Sequence, residues 1–510
     1  MAEFELVLSL LLGGVGLTLI APWLGVPGPV LLAIAGVALA FVPGVPPVAL
    51  DPELALALFV APVLLDAAFD ASPRDLRDNW VPLSSLVLVA VGLTVAAVAG
   101  TARLLLPTLP WAAAIALGAI VAPPDAASAT AILRQVRLPH RLAVIIEGES
   151  LLNDASALLI YRLAIGATAG GMTAWTGPLL LLACAGGLLL GFAAARLYLL
   201  TAARVPDGPA AVVLQFLRTF GVWLLADALG LSAILTIVAY ASTLARLLPD
   251  RTGARHRRVS YAVWEVAVFV LNVLAFIMVG LQLRGIVGRL DGGTWRYGLF
   301  AGAVLGVTIV VRILWVMTYN AAVRWKISRF GSRDRPGLSP PTVQGGLVIA
   351  WCGMRGIVTL ATALALPEHF PQRDLIVFTA SCVVLGTLVL QGLTLRPLVH
   401  RLALPRDTSV EDEVGQARAE AARAGLQALG SDRGGEAGRS LALDYQARLA
   451  KGSLAATAPT GLPMLRRRTL AAERRRLVEL RREGSIGADA FHRLEEELDW
   501  AEAEAAPRPE

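Results

Sequence analysis

The chain has 510 residues, of which 56% are hydrophobic and only 16% charged, with a mean hydropathy of +0.65. Soluble chains of this length carry far more charge, so the composition excludes an ordinary soluble domain and indicates a polytopic membrane protein. The formal net charge of +6 comes from arginine, since Lys326 and Lys451 are the only lysines. That charge informs on membrane orientation and does not indicate a nucleic-acid partner. Cys184, Cys352 and Cys382 all lie in apolar runs, as buried small side chains do, which argues against disulfides and a metal cluster. The N-terminus lacks a basic leader and the first basic residue is Arg74, so the first apolar run is expected to stay as a helix.

Cutting the sequence into apolar runs long enough to cross ~30 Å of hydrocarbon gives about thirteen spans. They fall at 5–25, 28–45, 50–70, 80–105, 110–133, 142–167, 177–201, 209–228, 231–248, 261–283, 296–323, 342–366 and 374–400. The expected fold is therefore an all-α polytopic membrane protein, with residues 1–404 forming the membrane domain. Loops after odd-numbered spans hold about seventeen Arg or Lys and those after even-numbered spans about six. The strongest clusters run from Arg246 to Arg258 and from Arg324 to Arg335. This bias places the N-terminus outside a cell membrane and the C-terminus in the cytoplasm. Residues 405–510, rich in Arg, Glu and Ala, read as a helical cytoplasmic tail. Helical patterns cover Glu413–Leu429 and Leu465–Glu483, and an acidic helix, Ala488–Ala505, follows a break at Gly484–Gly487. Arg466–Arg468 and Arg474–Arg476 suit either anionic lipid or a solvated helical face.

Two spans are interrupted. The fifth contains Ala122-Pro123-Pro124-Asp125-Ala126, where prolines remove backbone donors. The twelfth contains Gly345-Gly346 and Trp351-Cys352-Gly353-Met354-Arg355-Gly356. If spans 1–6 and 8–13 are two inverted repeats, these breaks occupy matching positions, which points to a transporter binding site.

The sixth span carries Glu147-Gly148-Glu149-Ser150-Leu151-Leu152-Asn153-Asp154. At about 100° per residue, Glu149, Ser150, Asn153 and Asp154 share one side of a helix, with Glu147 at its edge. Each ionisable residue at mid-span costs roughly 2.5–3.5 kcal/mol if it faces lipid. Asp66, Asp125, Glu149, Asp154 and Asp227 must therefore face the bundle interior or water. Arg355 needs a carboxylate because its charge cannot be lost; Glu149 is the expected partner, and an anionic substrate is the alternative. Acids outnumber bases inside the spans, which favours a cation.

Carboxylate, hydroxyl and amide oxygens suit Na+, and the same carboxylates bind protons. If Asp154 holds one or the other, the two ligands compete and antiport follows. Asn153 is neutral and no lysine lies in a span, so one-for-one electroneutral exchange is expected.

These residues resemble the monovalent cation/proton antiporter family of the electroneutral Na+/H+ exchanger type, and more closely its bacterial form with a long cytoplasmic tail. The most specific match is Gly148-Glu-Ser-Leu-Leu-Asn-Asp154, similar to the family's ion-binding helix. Pro62-Val-Leu-Leu-Asp66-Ala67 resembles its acidic third-span motif. The runs from Trp351 to Gly356 and from Val384 to Leu395 resemble its last two spans. Asp227 and Glu265 fall at weaker family positions. The resemblance implies Asp154 as the ion and proton carboxylate, supported by Asp125. It further implies Ser150 and Asp66 as Na+ ligands, Glu149 paired with Arg355, and no cofactor. It also implies crossed discontinuous helices in a core half, a second half for dimerisation, and a homodimer. One departure is that the family's Thr-Asp-Pro is here Pro124-Asp125-Ala126, which puts the choice of Na+ over K+ in question.

A K+/H+ or mixed antiporter is the nearest rival reading. A cation channel would show repeated filter motifs or symmetric acidic rings, and the sequence has neither. An intramembrane enzyme would show a metal or nucleophile motif, and His140, His256, His369 and His400 lie at span ends or in loops.

Overall fold

The computed structural model describes residues 2–43, 52–125, 128–129, 138–168, 176–202, 209–248, 254–288, 294–330, 341–405, 407–429, 436–451 and 463–505. The second half of the fifth span, expected at 126–133, falls outside them apart from residues 128–129. Among the described residues the secondary structure is helical throughout. With no water in a bilayer to satisfy a backbone, helices are the economical way to carry such apolar segments.

Among the described residues seven helices are long and apolar enough to cross a membrane, including Trp80–Leu105, Val259–Val287 and Arg373–Leu402. Gly28–Ala40, Trp111–Val121 and Ala233–Leu247 are shorter apolar helices. The third span is continuous over 52–70 and, like the fourth, contains a widened π-helical turn, at Leu56–Val60 and Ser85–Ala90. Local chemistry sets several ends. Ser232 caps Ala233–Leu247 by accepting from the Leu235 N–H, and the Thr342 hydroxyl accepts from the Gly345 N–H at the start of the twelfth span. The eighth span, Pro209–Ala228, closes on Gly230 at φ 69°, with N–H groups of Gly230 and Leu231 bonded back to Asp227 and Ala226 carbonyls. A side chain would be strained there.

Two groups of helices each bury their own apolar cluster. Spans four, five, six, eleven, twelve and thirteen enclose Val98, Leu117, Tyr161, Val304, Ala363 and Ile376. Spans three, seven, eight, nine and ten enclose Leu64, Ala195, Trp223, Ile237 and Trp264, with Leu151 of the sixth span packed among them. Between the groups, Leu32, Ile277, Ile146 and Val348 meet in a third cluster. Spans two and ten approach backbone to backbone. A Cβ on Gly36 would lie 2.1 Å from the Ile277 carbonyl oxygen, and one on Gly280 would lie 2.3 Å from Val37 N. Small residues allow this close packing where apolar attraction between helices is weak.

The C-terminal helices are Ser409–Ala428, Glu436–Lys451, Pro463–Arg482 and Ala488–Ala505. Sequence patterns anticipated three of these; Glu436–Lys451 is the addition, held by Leu441 and Tyr445 against Leu429 and Ala422. Arg474 and Arg476 are paired with acids of the tail itself. Arg474 binds Asp499 and Glu502 at 2.5 and 2.6 Å, and Arg476 binds Glu420 at 2.5 Å.

This helical unit is bound to one end of the bundle through charge. Arg74 reaches Glu413 at 2.6 Å, and Arg257 reaches Asp499 at 2.7 Å and Glu495 at 3.3 Å. His140, which starts the helix His140–Thr168 just ahead of the sixth span's apolar run, lies between Asp75 and Asp489, 3.4 Å from each. Its backbone N–H donates to Asp407. The imidazole is pushed up to about 10, by Asp489 first and Asp75 second, against the opposing effect of burial.

A raised histidine pKa stabilises docking fully below its unperturbed value of about 6.5, and the contribution fades as pH climbs through the docked value. Hydrogen exchange in Ala488–Ala505, corrected for intrinsic rate, should therefore speed up about tenfold, or ~1.4 kcal/mol, between pH 6.5 and pH 10. His140→Gln should exchange fast throughout. Protection in the wild type that is flat across this range would show that His140 does not hold the contact.

Candidate functional site

The two breaks meet. The first half of the fifth span, Trp111–Val121, ends at Pro123-Pro124, and its last carbonyls have no intrahelical partner. Arg355, in the break of the twelfth span, donates through Nε to the Val121 carbonyl at 2.8 Å and through Nη2 to that of Ala122 at 3.1 Å. It also donates to Gly353 O, and its own N–H donates to Thr387 Oγ1 of the last span. Asp125 returns a backbone contact, its N–H donating to Met354 O at 2.7 Å. The first half of the twelfth span, Val343–Trp351, ends in the same way, and Arg312 covers it by donating to the carbonyls of Ile349 and Ala350. Each arginine thus satisfies the carbonyl end of one broken helix, where the helix dipole is negative.

This arrangement corrects the expected Glu149–Arg355 pair. Glu149 instead forms a two-pronged ion pair with Arg312 of the eleventh span, Nη1 to Oε1 at 2.5 Å and Nη2 to Oε2 at 2.9 Å. Both side chains are buried. The physical reason is that Arg355 is occupied by the orphaned carbonyls of the fifth span, while Arg312 presents its planar fork to the carboxylate. Sequence reading passed over Arg312, although its signal was present: an arginine inside Val310-Val311-Arg312-Ile313-Leu314 carries the same mid-span cost as Arg355.

The remaining acids are placed as follows. Asp154 is buried, 6% exposed, one residue from the fully buried Asn153, and the charge of Asp125 acts on it. Among the described residues no hydrogen bond reaches the Asp154 carboxylate. Asn153 donates through Nδ2 to Pro124 O at 3.4 Å, and its buried Oδ1 has no hydrogen-bond partner among the described residues. Asp125 is half-buried, with one carboxylate oxygen bound by Ser128. Ser150 and Asp66 are half-buried, each with contacts of its own. The third and sixth spans touch. Asp227 and Glu265 stand exposed on the eighth and tenth spans, and Glu147 is exposed on the sixth.

The sequence matches the family described as sodium/hydrogen exchanger, transmembrane, over residues 7–401. The chain belongs to the sodium/hydrogen exchanger family. It is 33% identical over 422 residues to an uncharacterised Na+/H+ exchanger of Mycobacterium tuberculosis, covering 79% of this chain and 75% of the relative. It is 31% identical to a sodium, potassium, lithium and rubidium/H+ antiporter of Bacillus pumilus, covering 76% of this chain and 60% of that protein. Its fold is similar to the sodium/proton antiporter of Methanocaldococcus jannaschii, with a TM-score of 0.59 at 17% identity, over 77% of this chain and 99% of that one. Membership of the exchanger family makes the chain a multi-pass membrane transporter and not an enzyme.

Proposed function

We propose that the chain is a secondary active antiporter that exchanges one Na+ for one proton by alternating access, with Asp154 as the carboxylate for which the two compete. The observation that carries this reading is the charge balance where the broken helices meet. Arg312 neutralises Glu149, and Arg355 is used on helix-end carbonyls. Asp125, Asp154 and Asp66 of the third span then leave four carboxylates against two guanidiniums, an excess of negative charge that suits a site taking up a cation or a proton. A site that alternates between those two ligands moves no net charge.

In this reading Asp154, Ser150 and Asp66 supply oxygen ligands to Na+, Asp125 supports Asp154, and Asn153 adds an amide oxygen, its buried Oδ1 having no hydrogen-bond partner among the described residues. The end of the bundle covered by the C-terminal helices faces the cytoplasm, in agreement with the basic loops, and the protein works as a homodimer. A broader choice that includes K+ is the second reading. It is supported by the printed specificity of the Bacillus relative and by Pro124 standing where the resemblance expects a threonine.

Inside-out vesicles carrying a pH-sensitive dye test this directly. Na+ should collapse an imposed proton gradient, Li+ and K+ added in turn should give the specificity, and a clamped membrane potential should leave the rate nearly unchanged. No proton movement with any cation would overturn antiport, and a rate that climbs with potential would overturn one-for-one exchange.

A further inference from the structure

Ser128 lies fully buried beside Asp125. Its hydroxyl donates to Asp125 Oδ2 at 2.5 Å, and its backbone N–H donates to the same oxygen at 3.3 Å. The twelfth span leans on that oxygen too, since a Cβ on Gly356 would lie 2.1 Å from it. The Asp125 backbone is tied to Met354 O, and Pro123 and Pro124 before it offer no donor. The Ser128 hydroxyl is therefore one of the contacts that orient this carboxylate.

We infer that Ser128 is a positioning residue of the exchange site, its hydroxyl fixing the Asp125 carboxylate in the orientation from which it supports cation binding at Asp154. The inference rests on the antiport reading above. A purely structural role would be helix capping, in which Asp125 accepts from the N–H of the residue three further on. That bond uses the Ser128 backbone and survives Ser128→Ala, so the substitution removes the hydroxyl alone.

The experiment measures cation dependence of exchange in vesicles for the wild type, Ser128→Ala, Ser128→Thr and Ser128→Cys, with Na+, Li+ and K+ as probes. A lost hydrogen bond to a charged group predicts a KM for Na+ raised about tenfold in Ser128→Ala, with maximal rate held within about twofold. Threonine, which keeps the hydroxyl, should restore KM to within about twofold. Cysteine, a weak donor of similar shape, should fall between, and it supplies the comparison if the alanine variant does not fold. Alanine or cysteine variants with wild-type KM for all three cations would overturn the role of Ser128 while wild-type exchange leaves the antiport reading standing. Threonine that fails to restore KM would overturn it as well. Wild-type vesicles that exchange none of the cations would overturn both together.

Discussion

Arg312→Ala should destabilise the protein by about 3–5 kcal/mol, because it strands a buried carboxylate as well as two helix-end carbonyls. Glu149→Gln should cost nearly as much, since it leaves Arg312 buried without a counter-charge. The lost contacts are the two-pronged pair at 2.5 and 2.9 Å and the bonds to Ile349 and Ala350. Thermal unfolding in detergent gives the measurement, and a double-mutant cycle gives the partner. The Glu149/Arg312 cycle should return a coupling of about 1–3 kcal/mol, whereas Glu149/Arg355 should return less, because those two side chains share no bond. Melting temperatures unchanged in Arg312→Ala and Glu149→Gln would refute the pair. A larger coupling to Arg355 would restore the arrangement expected from sequence alone.

The error over this pair shows which parts of the molecule were legible in the sequence. The breaks were, because Pro123-Pro124 and Gly353–Gly356 act on the backbone where they stand. Apolar segments were too, since the described helices lie within a few residues of most of the predicted runs; the basic flank of the eleventh, 294–330, extends seven residues beyond its apolar part. Pairing across helices was not. Two arginines, Arg312 and Arg355, meet Glu149's need equally well on paper, and only packing assigns one to the carboxylate and the other to Val121 and Ala122. Ser128 was missed for a related reason. Beside the unusual Pro-Asp-Ala, a serine three residues on looks like one more small residue. The helix Glu436–Lys451 was hidden by its glycine-flanked, mixed composition, and its Leu441–Tyr445 face declares itself only against Leu429.

Asp154→Asn should behave in the opposite way to Arg312→Ala, losing function while keeping the fold. The amide has the shape of the carboxylate but neither its charge nor its proton equilibrium, so exchange should fall at least about a hundredfold, a loss of ~2.7 kcal/mol or more by the rate relation. Stability should be unchanged or higher, because the carboxylate removed is buried with no hydrogen bond from the described residues, and a lone buried charge is costly to hold. Ligand linkage separates the two effects. A cation that binds only the folded protein raises its melting temperature with concentration, so Na+ should protect the wild type and leave Asp154→Asn where it was. Exchange retained in a well-folded Asp154→Asn protein would move the competing carboxylate elsewhere, and Asp125, whose charge already acts on Asp154, would be the next to test. Sodium protection that persists with exchange abolished would divide the roles instead, leaving the cation with the other oxygen ligands and only the proton with Asp154.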